Sequence, residues 1–191
     1  MKQNTAQQIL DIAQSMVRNR GYSAFSYADI AQQIGIRKAS IHYHFPSKDD
    51  LVKELVKQYR EIMERKCFQI EQLKISPQEQ LQAFVNLYRD GLQNHQICLC
   101  GMLTADFAVL NSEIQAELQT FFVVIESWLA NLLRRGNEAQ VWKSDRSVEL
   151  EAKTIIAMLQ GSQLLSRAAD NSEAAFDRIT EGFLQDKLAT V

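Results

Sequence analysis

The chain has 191 residues, of which 46% are hydrophobic and 23% charged, a balance typical of a folded globular protein. Seven glycines and two prolines are too few for a β-sandwich or barrel with a turn about every ten residues. The longest wholly apolar run, Phe121 to Ile125, is far shorter than the roughly 20 residues of a membrane span. Three cysteines do not make a disulfide framework, and the N-terminus is polar. We therefore expect a cytoplasmic protein with no membrane partner.

The formal net charge of −2 hides an uneven distribution along the chain. Residues 1–48 contain six Lys or Arg against two acidic residues, a net charge of +4, and the remaining residues carry −6. A basic N-terminal segment on an acidic body predicts that this segment has a polyanionic partner.

Helix start signals divide the chain. Ser26, Ser47 and Ser76 each stand three residues before an acidic residue, the spacing of a capping box. Apolar residues recur with the helical period, beginning with a stripe from Ile9 to Val17. No segment alternates with the period of a strand, so the sequence predicts an all-α protein. Beyond the N-terminal segment the predicted helices run from Ser47 to about residue 73, from 77 to 93, and over 98–110, 112–135 (closed by Gly136), 147–169 and 172–188.

Two short helices between residues 26 and 48 are the most informative feature. The first is predicted from Tyr27 to Ile34 and the second from about Arg37 to His44, with Gly35 in the turn, where its positive φ is permitted. This arrangement is typical of a helix-turn-helix. The outward face of the second helix consists of hydrogen-bond donors and contains no acidic residue: Arg37, Lys38, Ser40, His42, Tyr43 and His44.

The segment from Ile30 to Leu51 resembles the DNA-binding signature of the TetR family of transcriptional regulators. The matching features are Ile30-Ala31 four residues before Gly35, the run that ends in His44-Phe45, and Lys48 at the start of the next helix. His42 stands where the family usually has tyrosine. The resemblance implies an all-α fold with an N-terminal three-helix helix-turn-helix DNA-binding domain, residues 1–48. It further implies a helical-bundle ligand-binding and dimerisation domain, residues 49–191. Two copies would form a homodimer that reads a palindromic operator in double-stranded DNA.

The expected DNA contacts fall into two groups. Residues at the N-terminal end of the recognition helix are placed to meet base edges, with Ala39 small enough to approach a thymine methyl. Tyr43, His44 and Lys48 match the phosphate-contacting positions of the family. Ser26 could hold a phosphate together with the free N–H groups of its helix. The complete predicted set is Ser26, Arg37, Lys38, Ala39, Ser40, His42, Tyr43, His44 and Lys48.

The cysteines allow three interpretations. Cys98 and Cys100, with His95 and Cys67, could bind a metal, act as a thiol sensor of electrophiles or oxidants, or be buried structural residues. Residues two apart on a helix point to different sides, and a closed zinc site lacks a fourth ligand, so we expect no metal and no cofactor. The structural interpretation is favoured, and Cys98 and Cys100 remain the candidate thiol sensor.

The body supplies two further sets of apolar residues. Residues of the first set could line an effector cavity between helices or belong to the core: Tyr88, Met102, Phe107, Phe121 and Trp128. Residues of the second set lie on two late helices that could pair with their copies in a dimer, or again be core: Phe122, Ile125, Ile155, Leu159, Gly161 and Leu164.

Together these features predict a sequence-specific DNA-binding transcriptional regulator, a repressor that a small-molecule effector releases from its operator. The effector could be an apolar ligand or an electrophile or oxidant. No catalytic constellation is present in the sequence, so we do not expect an enzyme. The alternative is a helical protein–protein adaptor whose basic N-terminal segment docks an acidic partner.

Overall fold

The computed structural model describes residues 5–142 and 146–188, and every regular element within these ranges is helical. No helix in the described part of the chain is long and apolar enough to cross a membrane. The α-helices are α1 (Thr5–Arg20), α2 (Tyr27–Ile34), α3 (Lys38–His44), α4 (Lys48–Gln72), α5 (Pro77–Leu92), α6 (Leu99–Ala105), α7 (Ser112–Glu138), α8 (Val148–Ser166) and α9 (Ser172–Leu188), with a 3₁₀ turn over Phe107–Val109.

The chain forms two compact units. The first comprises the residues up to Glu61 together with Leu99–Phe121, and the second comprises Ile62–Cys98 and the residues from Phe122 onward. The helices α4 and α7 each contribute residues to both units. The predicted boundary between DNA-binding and effector domains at residue 48 concerns function, and it stays a prediction.

In the first unit, α1, α2 and α3 pack around a small apolar core. Ile9, Ile30 and Ile41, one from each helix, are completely buried. Ile34 and Ile36 are only half-buried, so they contribute less to this core than their apolar character suggested. Gly35 ends α2 with φ of 79°, a left-handed conformation, as the sequence predicted for the turn.

The sequence predicts a capping box at Thr5 as well, where α1 begins. The boxes at Ser26, Ser47 and Ser76 are present as predicted. The Ser26 hydroxyl caps α2 and the Asp29 carboxylate accepts from the Ser26 backbone N–H at 2.7 Å. The same exchange links Ser47 to Asp50 before α4 and Ser76 to Glu79 before α5. These local signals explain why the predicted helix starts lie close to the observed ones.

Three helix ends differ from the prediction. The helix predicted over 147–169 ends at Ser166. The helix predicted over 98–110 stops at Ala105 and gives way to the 3₁₀ turn. Gly136 does not close α7, which continues to Glu138. The Trp142 indole packs directly on this glycine, since a Cβ built at Gly136 would lie 2.0 Å from Trp142 Cζ2. The glycine is therefore required by packing and not by a left-handed cap.

A buried amide holds part of the second unit together. Gln163 of α8 is 1% exposed, and its Oε1 accepts from the Cys98 backbone N–H at 2.9 Å. Its Nε2 donates to the Tyr88 carbonyl at 2.6 Å. The side chain thereby joins α8 to the end of α5 and to the segment before α6.

Candidate nucleic-acid interface

The exposed side of α3 forms one shallow surface hollow. Five of the residues predicted to contact DNA line it, together with Thr5 of α1 and Ile36, which the sequence did not indicate. Tyr43 is 85% exposed and its ring lies edge-on to the His44 ring, with centroids 5.2 Å apart. Because α3 contains no acidic residue, the surface offers cationic and neutral donors to an anionic partner. The predicted residues in this hollow are Arg37, Ala39, Ser40, Tyr43 and His44.

Lys38 and His42 are also exposed on α3, but they differ in their environment. The His42 Nδ1 lies 3.1 Å from the Pro46 carbonyl, and its ring packs edge-on against Tyr27 at 4.8 Å between centroids. The Tyr27 hydroxyl in turn donates to the Phe45 carbonyl at 2.8 Å. His42 thus helps to fix the turn between α3 and α4. This is a structural role at the position where the resembling family usually has tyrosine.

The phosphate contact predicted for Ser26 is not supported by its surroundings. The Asp29 carboxylate already accepts from the Ser26 hydroxyl and backbone N–H, each at 2.7 Å. These hydrogen bonds hold the pKa of Asp29 below its ordinary value, so the carboxylate is ionised at neutral pH. An anion at this position would meet the negative charge of Asp29.

Lys48, a predicted phosphate contact, makes several contacts within the first unit. Its Nζ donates to the Phe25 carbonyl at 2.6 Å and lies 4.4 Å and 4.2 Å from the ring centroids of Tyr22 and Phe25. Burial lowers the pKa of this lysine, against the opposing effect of nearby carboxylates, Asp106 first among them. Lys48 therefore helps to stabilise the first unit from within, and its contact with a phosphate stays a prediction.

A polar network that the sequence did not indicate surrounds Tyr22. Its backbone N–H donates to Asp106 Oδ2 at 2.7 Å, beyond the end of α6. Its hydroxyl donates to Asp49 Oδ1 at 2.5 Å, and Asn111 Nδ2 donates to the other Asp49 oxygen at 3.0 Å. Tyr22 and Asp106 are 84 positions apart in sequence, so no local pattern could have revealed their proximity.

The five predicted effector residues are divided between the two units. Met102, Phe107 and Phe121 belong to the first unit, where Phe107 is exposed on the 3₁₀ turn and Phe121 is completely buried. Tyr88 and Trp128 belong to the second unit, and Tyr88 is buried. Trp128 is the one member of the set that lines a hollow of 360 Å³ in the second unit. We call this the α4–α7 hollow, and its lining residues are Glu64, Cys67, Phe68, Glu71, Val124, Ile125 and Trp128.

The candidate thiol sensors are both buried. Cys98 is 2% exposed and Cys100 is completely inaccessible. A reagent in solution cannot reach such thiols without local opening, which favours the structural interpretation over thiol sensing. The described residues contain no group of three or more His, Cys, Asp or Glu placed to hold a metal ion.

The predicted dimer residues divide by exposure. Ile125, Ile155 and Leu159 are completely buried within one chain, so they belong to its core and cannot form a surface that a second copy covers. Phe122 and Gly161 are half-buried, and Leu164 is 58% exposed. No atom lies within 4 Å of a Cβ built at Gly161, so this position faces open space. Phe122, Gly161 and Leu164 therefore remain candidates.

The second helix of the helix-turn-helix, α3, is exposed and basic and contains no acidic residue. These features define the chain as a helix-turn-helix DNA-binding protein. Residues 9–55 match the family model described as "Bacterial regulatory proteins, tetR family". Among solved structures, a TetR-family transcriptional regulator from Agrobacterium tumefaciens is 34% identical, with a TM-score of 0.91 over 96% of this chain and 97% of the other. A TetR transcriptional regulator from Legionella pneumophila is 31% identical, with a TM-score of 0.87 over 98% and 100% of the two chains.

A curated relative, the HTH-type transcriptional repressor DhaR of Mycobacterium sp. strain GP1, is 24% identical over 87% of this chain and 84% of its own length. The chain belongs to the TetR family of transcriptional regulators. Members of this family are generally non-enzymatic DNA-binding proteins. The chain is accordingly a DNA-binding regulator, and the family assignment favours this function over the protein–protein adaptor.

Proposed function

We propose that this protein is a homodimeric repressor that binds a palindromic operator through α3 and is released from it by a small-molecule effector. The observation that carries the proposal is the hollow on α3, where five predicted DNA-contacting residues lie together on a surface without acidic side chains. Repression as the direction of control is supported by similarity to curated repressors such as DhaR. Such a function places the protein in the cytoplasm, with the DNA.

Within α3, the N-terminal residues are the proposed base readers. Arg37 and Lys38 are exposed at the start of the helix, the end that enters the major groove in helix-turn-helix proteins. Tyr43 and His44, one turn further on, are proposed to contact the phosphate backbone. Ser26 and Lys48 are left out of this proposal because the Ser26 hydroxyl donates to Asp29 and Lys48 donates to the Phe25 carbonyl within the first unit.

Dimerisation is proposed through the second unit. Two α8 side chains, Leu164 and Leu165, are 58% and 69% exposed, and the neighbouring Gly161 would allow a partner helix to approach closely. Two copies joined in this way would present two α3 helices to two half-sites, which is why the proposed operator is palindromic.

Release by an effector is proposed to act through α4. This helix begins next to α3 and contributes residues to both units, so a ligand that displaces its second half displaces an element joined to the DNA-binding surface. In the first unit, Asp49 at the start of α4 and Asp106 after the end of α6 both accept hydrogen bonds from Tyr22. A tenfold loss of operator affinity requires about 1.4 kcal/mol of differential ligand binding between the two states.

The test is selection of operators from a pool of random duplexes, followed by fluorescence anisotropy on the selected sequence and its single-base variants. We expect an inverted repeat and a preference that Lys38→Ala relaxes at one position of each half-site by about 1–3 kcal/mol. Lys74→Ala removes the same charge from an exposed position in the second unit and should leave the preference unchanged. A Lys38→Ala variant that discriminates among bases as the parent does would overturn the assignment of α3 to the major groove.

A further inference from the structure

One ring nitrogen of His42 is committed to the backbone that follows α3. His42 Nδ1 lies 3.1 Å from the Pro46 carbonyl oxygen, within hydrogen-bond distance. A carbonyl oxygen has no hydrogen to give, so Nδ1 must be the donor of this hydrogen bond. A neutral imidazole carries its hydrogen on one nitrogen only, which leaves Nε2 with a lone pair. The contact with Pro46 therefore selects the tautomer in which Nε2 accepts a hydrogen bond and cannot donate one.

The position of the His42 ring is fixed as well as its tautomer. The buried Tyr27 of α2 meets this ring edge-on, at 4.8 Å between centroids, and its hydroxyl donates to the Phe45 carbonyl at 2.8 Å. The two nitrogens of an imidazole point in divergent directions, so Nε2 points away from the Pro46 carbonyl. His42 is exposed despite these contacts, and no residue in the described part of the chain donates to Nε2. The ring thus holds an acceptor at the surface of α3.

An acceptor of this kind complements the other exposed residues of α3. Lys38, which is exposed one turn before His42, offers only donors, as does Arg37. Donor-only side chains suit the O6 and N7 acceptors of guanine in the major groove. An acceptor-only nitrogen suits instead the exocyclic amines, N6 of adenine and N4 of cytosine. Residues 37–44 include no Asp or Glu, so no carboxylate of α3 is available for that role.

We propose that His42 Nε2 accepts a hydrogen bond from the exocyclic amine of adenine or cytosine at one position of each operator half-site. Lys38 and His42 are four positions apart on α3, about 6 Å along the helix axis, and base pairs stack about 3.4 Å apart. The amine therefore lies within about two base pairs of the base that Lys38 contacts. This assignment rests on the proposed function, since it requires an operator of defined sequence.

Two substitutions separate the roles of the two nitrogens. Asparagine reaches only the place of Nδ1, so His42→Asn keeps a donor for the Pro46 carbonyl and loses the outer acceptor. Glutamine reaches the place of Nε2, so His42→Gln keeps an acceptor there. Fluorescence anisotropy is measured on the selected operator and its single-base variants at about pH 8.5, where an ordinary histidine is neutral. His42→Asn should lose at least about fivefold of the discrimination at one position, and His42→Gln should retain it.

Base analogues then identify the atom that is contacted. If the position is adenine, unsubstituted purine lacks the N6 amine and 7-deazaadenine lacks N7. If it is cytosine, 2-pyrimidinone lacks the N4 amine. Removing the amine should cost the parent at least about fivefold more affinity than it costs His42→Asn. Comparing the two proteins on the same duplexes cancels the effect of the analogue on the base pair itself. 7-Deazaadenine should leave the affinity of the parent unchanged.

The other two histidines supply matched controls. His95 is exposed in the second unit with φ of 54°, a conformation that asparagine tolerates, so His95→Asn should leave operator binding unchanged. His44→Asn makes the same chemical change on α3 at a proposed phosphate contact. It should weaken binding to every duplex alike and leave the base preference as it is.

Unchanged discrimination in His42→Asn, or an equal loss of affinity on every duplex, would overturn the assignment. A loss on 7-deazaadenine without a loss on purine would show that His42 donates, and it would overturn the assignment too. If His42→Gln loses discrimination together with His42→Asn, the amine-free duplexes decide between base contact and structural loss. A parent protein that selects no operator from the random pool would contradict the proposed function. An operator that the parent selects and His42→Asn discriminates equally well would contradict the role of His42 alone.

Discussion

The DNA-facing surface of α3 and the α4–α7 hollow are assembled in opposite ways. The first draws almost all of its residues from one stretch of eight positions, 37–44, on a helix whose ends are fixed by its neighbours. The second combines residues of α4 and α7 that are more than fifty positions apart in sequence. Correspondingly, the α3 surface is basic and mostly exposed, whereas the α4–α7 hollow is small and lined by acidic and aromatic residues.

The difference suggests a division of labour between the two units. A surface that meets a polyanion needs exposed donors on a rigid support, which the buried isoleucines of α1, α2 and α3 provide. A site that meets a small molecule needs converging side chains from separate elements, and these can differ among relatives without disturbing DNA binding. The following predictions test whether the two units are as independent as this comparison implies.

The largest expected effect comes from separating two copies of the chain. Gly161→Leu adds a side chain where no atom of the same chain lies within 4 Å, so the monomer should fold as before. If α8 pairs with its copy, the variant should become monomeric, and operator affinity should fall by two orders of magnitude or more because two linked half-site contacts become one.

Multi-angle light scattering measures the mass, and circular dichroism checks that the helices are retained. Gly161→Ala adds only one methyl group and should leave most of the protein dimeric. A Gly161→Leu protein that remains dimeric would place the interface on other helices. In that case the face of α8 that contains Gly161 would not be the dimer interface.

The contrast between local and distant assembly also explains how far the sequence could predict the structure. Capping boxes, apolar periodicity and Gly35 are local signals, and they located α2, α3 and the start of α4 closely. The prediction that Gly136 ends α7 was wrong because the role of this glycine depends on Trp142, which is six positions away and packs against it. Lys48 matched a family position, yet the rings of Tyr22 and Phe25 draw its ammonium inward. Several members of the effector and dimer sets are buried in the core, because helical periodicity cannot separate core residues from those lining a cavity or an interface.

A second prediction concerns two glutamines on α8 with opposite surroundings. Gln163 donates to the Tyr88 carbonyl and accepts from the Cys98 N–H, so Gln163→Leu leaves a buried donor unsatisfied. We expect a loss of about 1–3 kcal/mol in the free energy of unfolding. The Nε2 of Gln160 is buried without a hydrogen-bond partner in the described part of the chain, so Gln160→Leu should cost much less. Urea unfolding measures both variants.

Measuring operator affinity for the same two glutamine variants tests whether the two units are independent. If the units are independent, Gln163→Leu should leave operator affinity nearly unchanged at temperatures where the protein is folded. A parallel loss of operator affinity in the folded variant would show that the packing of α8 is coupled to α3. Equal destabilisation by the two glutamine substitutions would contradict the role given to Gln163.

A third prediction separates structural from DNA-contacting lysines in the first unit. Lys48→Ala removes a hydrogen bond to Phe25 and contacts with two rings, so it should lower the free energy of unfolding by about 1–2 kcal/mol. Lys53→Ala, on the same helix, breaks an ion pair with Glu113 in which both side chains are largely exposed, and it should be nearly neutral.

The salt dependence of operator binding completes that test. A lysine that contacts a phosphate contributes about one unit to the slope of log affinity against log salt concentration. Because the Lys48 ammonium is already paired within the unit, we expect Lys48→Ala to keep the parent slope. A slope reduced by about one, with stability unchanged, would restore the phosphate contact that the sequence predicted.

The smallest expected effects compare the capping boxes of the two units. Hydrogen bonds from Ser26 and Ser76 hold the pKa values of Asp29 and Glu79 below their ordinary values of 3.8 and 4.5. For carboxyls with lowered pKa, the stabilisation is complete above these ordinary values and is lost as the pH falls through the folded-state pKa. Each Ser→Ala substitution should also cost about 1 kcal/mol in the free energy of unfolding at neutral pH, the usual value of an N-cap.

The two boxes should nevertheless respond differently to loss of the serine hydroxyl. The hydroxyl is the largest cause of the lowered pKa of Asp29, whereas for Glu79 the backbone N–H of residue 76 contributes more. Alanine retains that backbone N–H, which lies 2.8 Å from the Glu79 carboxylate. NMR titration of the side-chain carboxyl carbons should therefore show a larger rise in the pKa of Asp29 in Ser26→Ala than of Glu79 in Ser76→Ala. Equal rises would mean that the two caps hold their carboxylates by the same hydrogen bond, and that the helix starts of the two units do not differ in this respect.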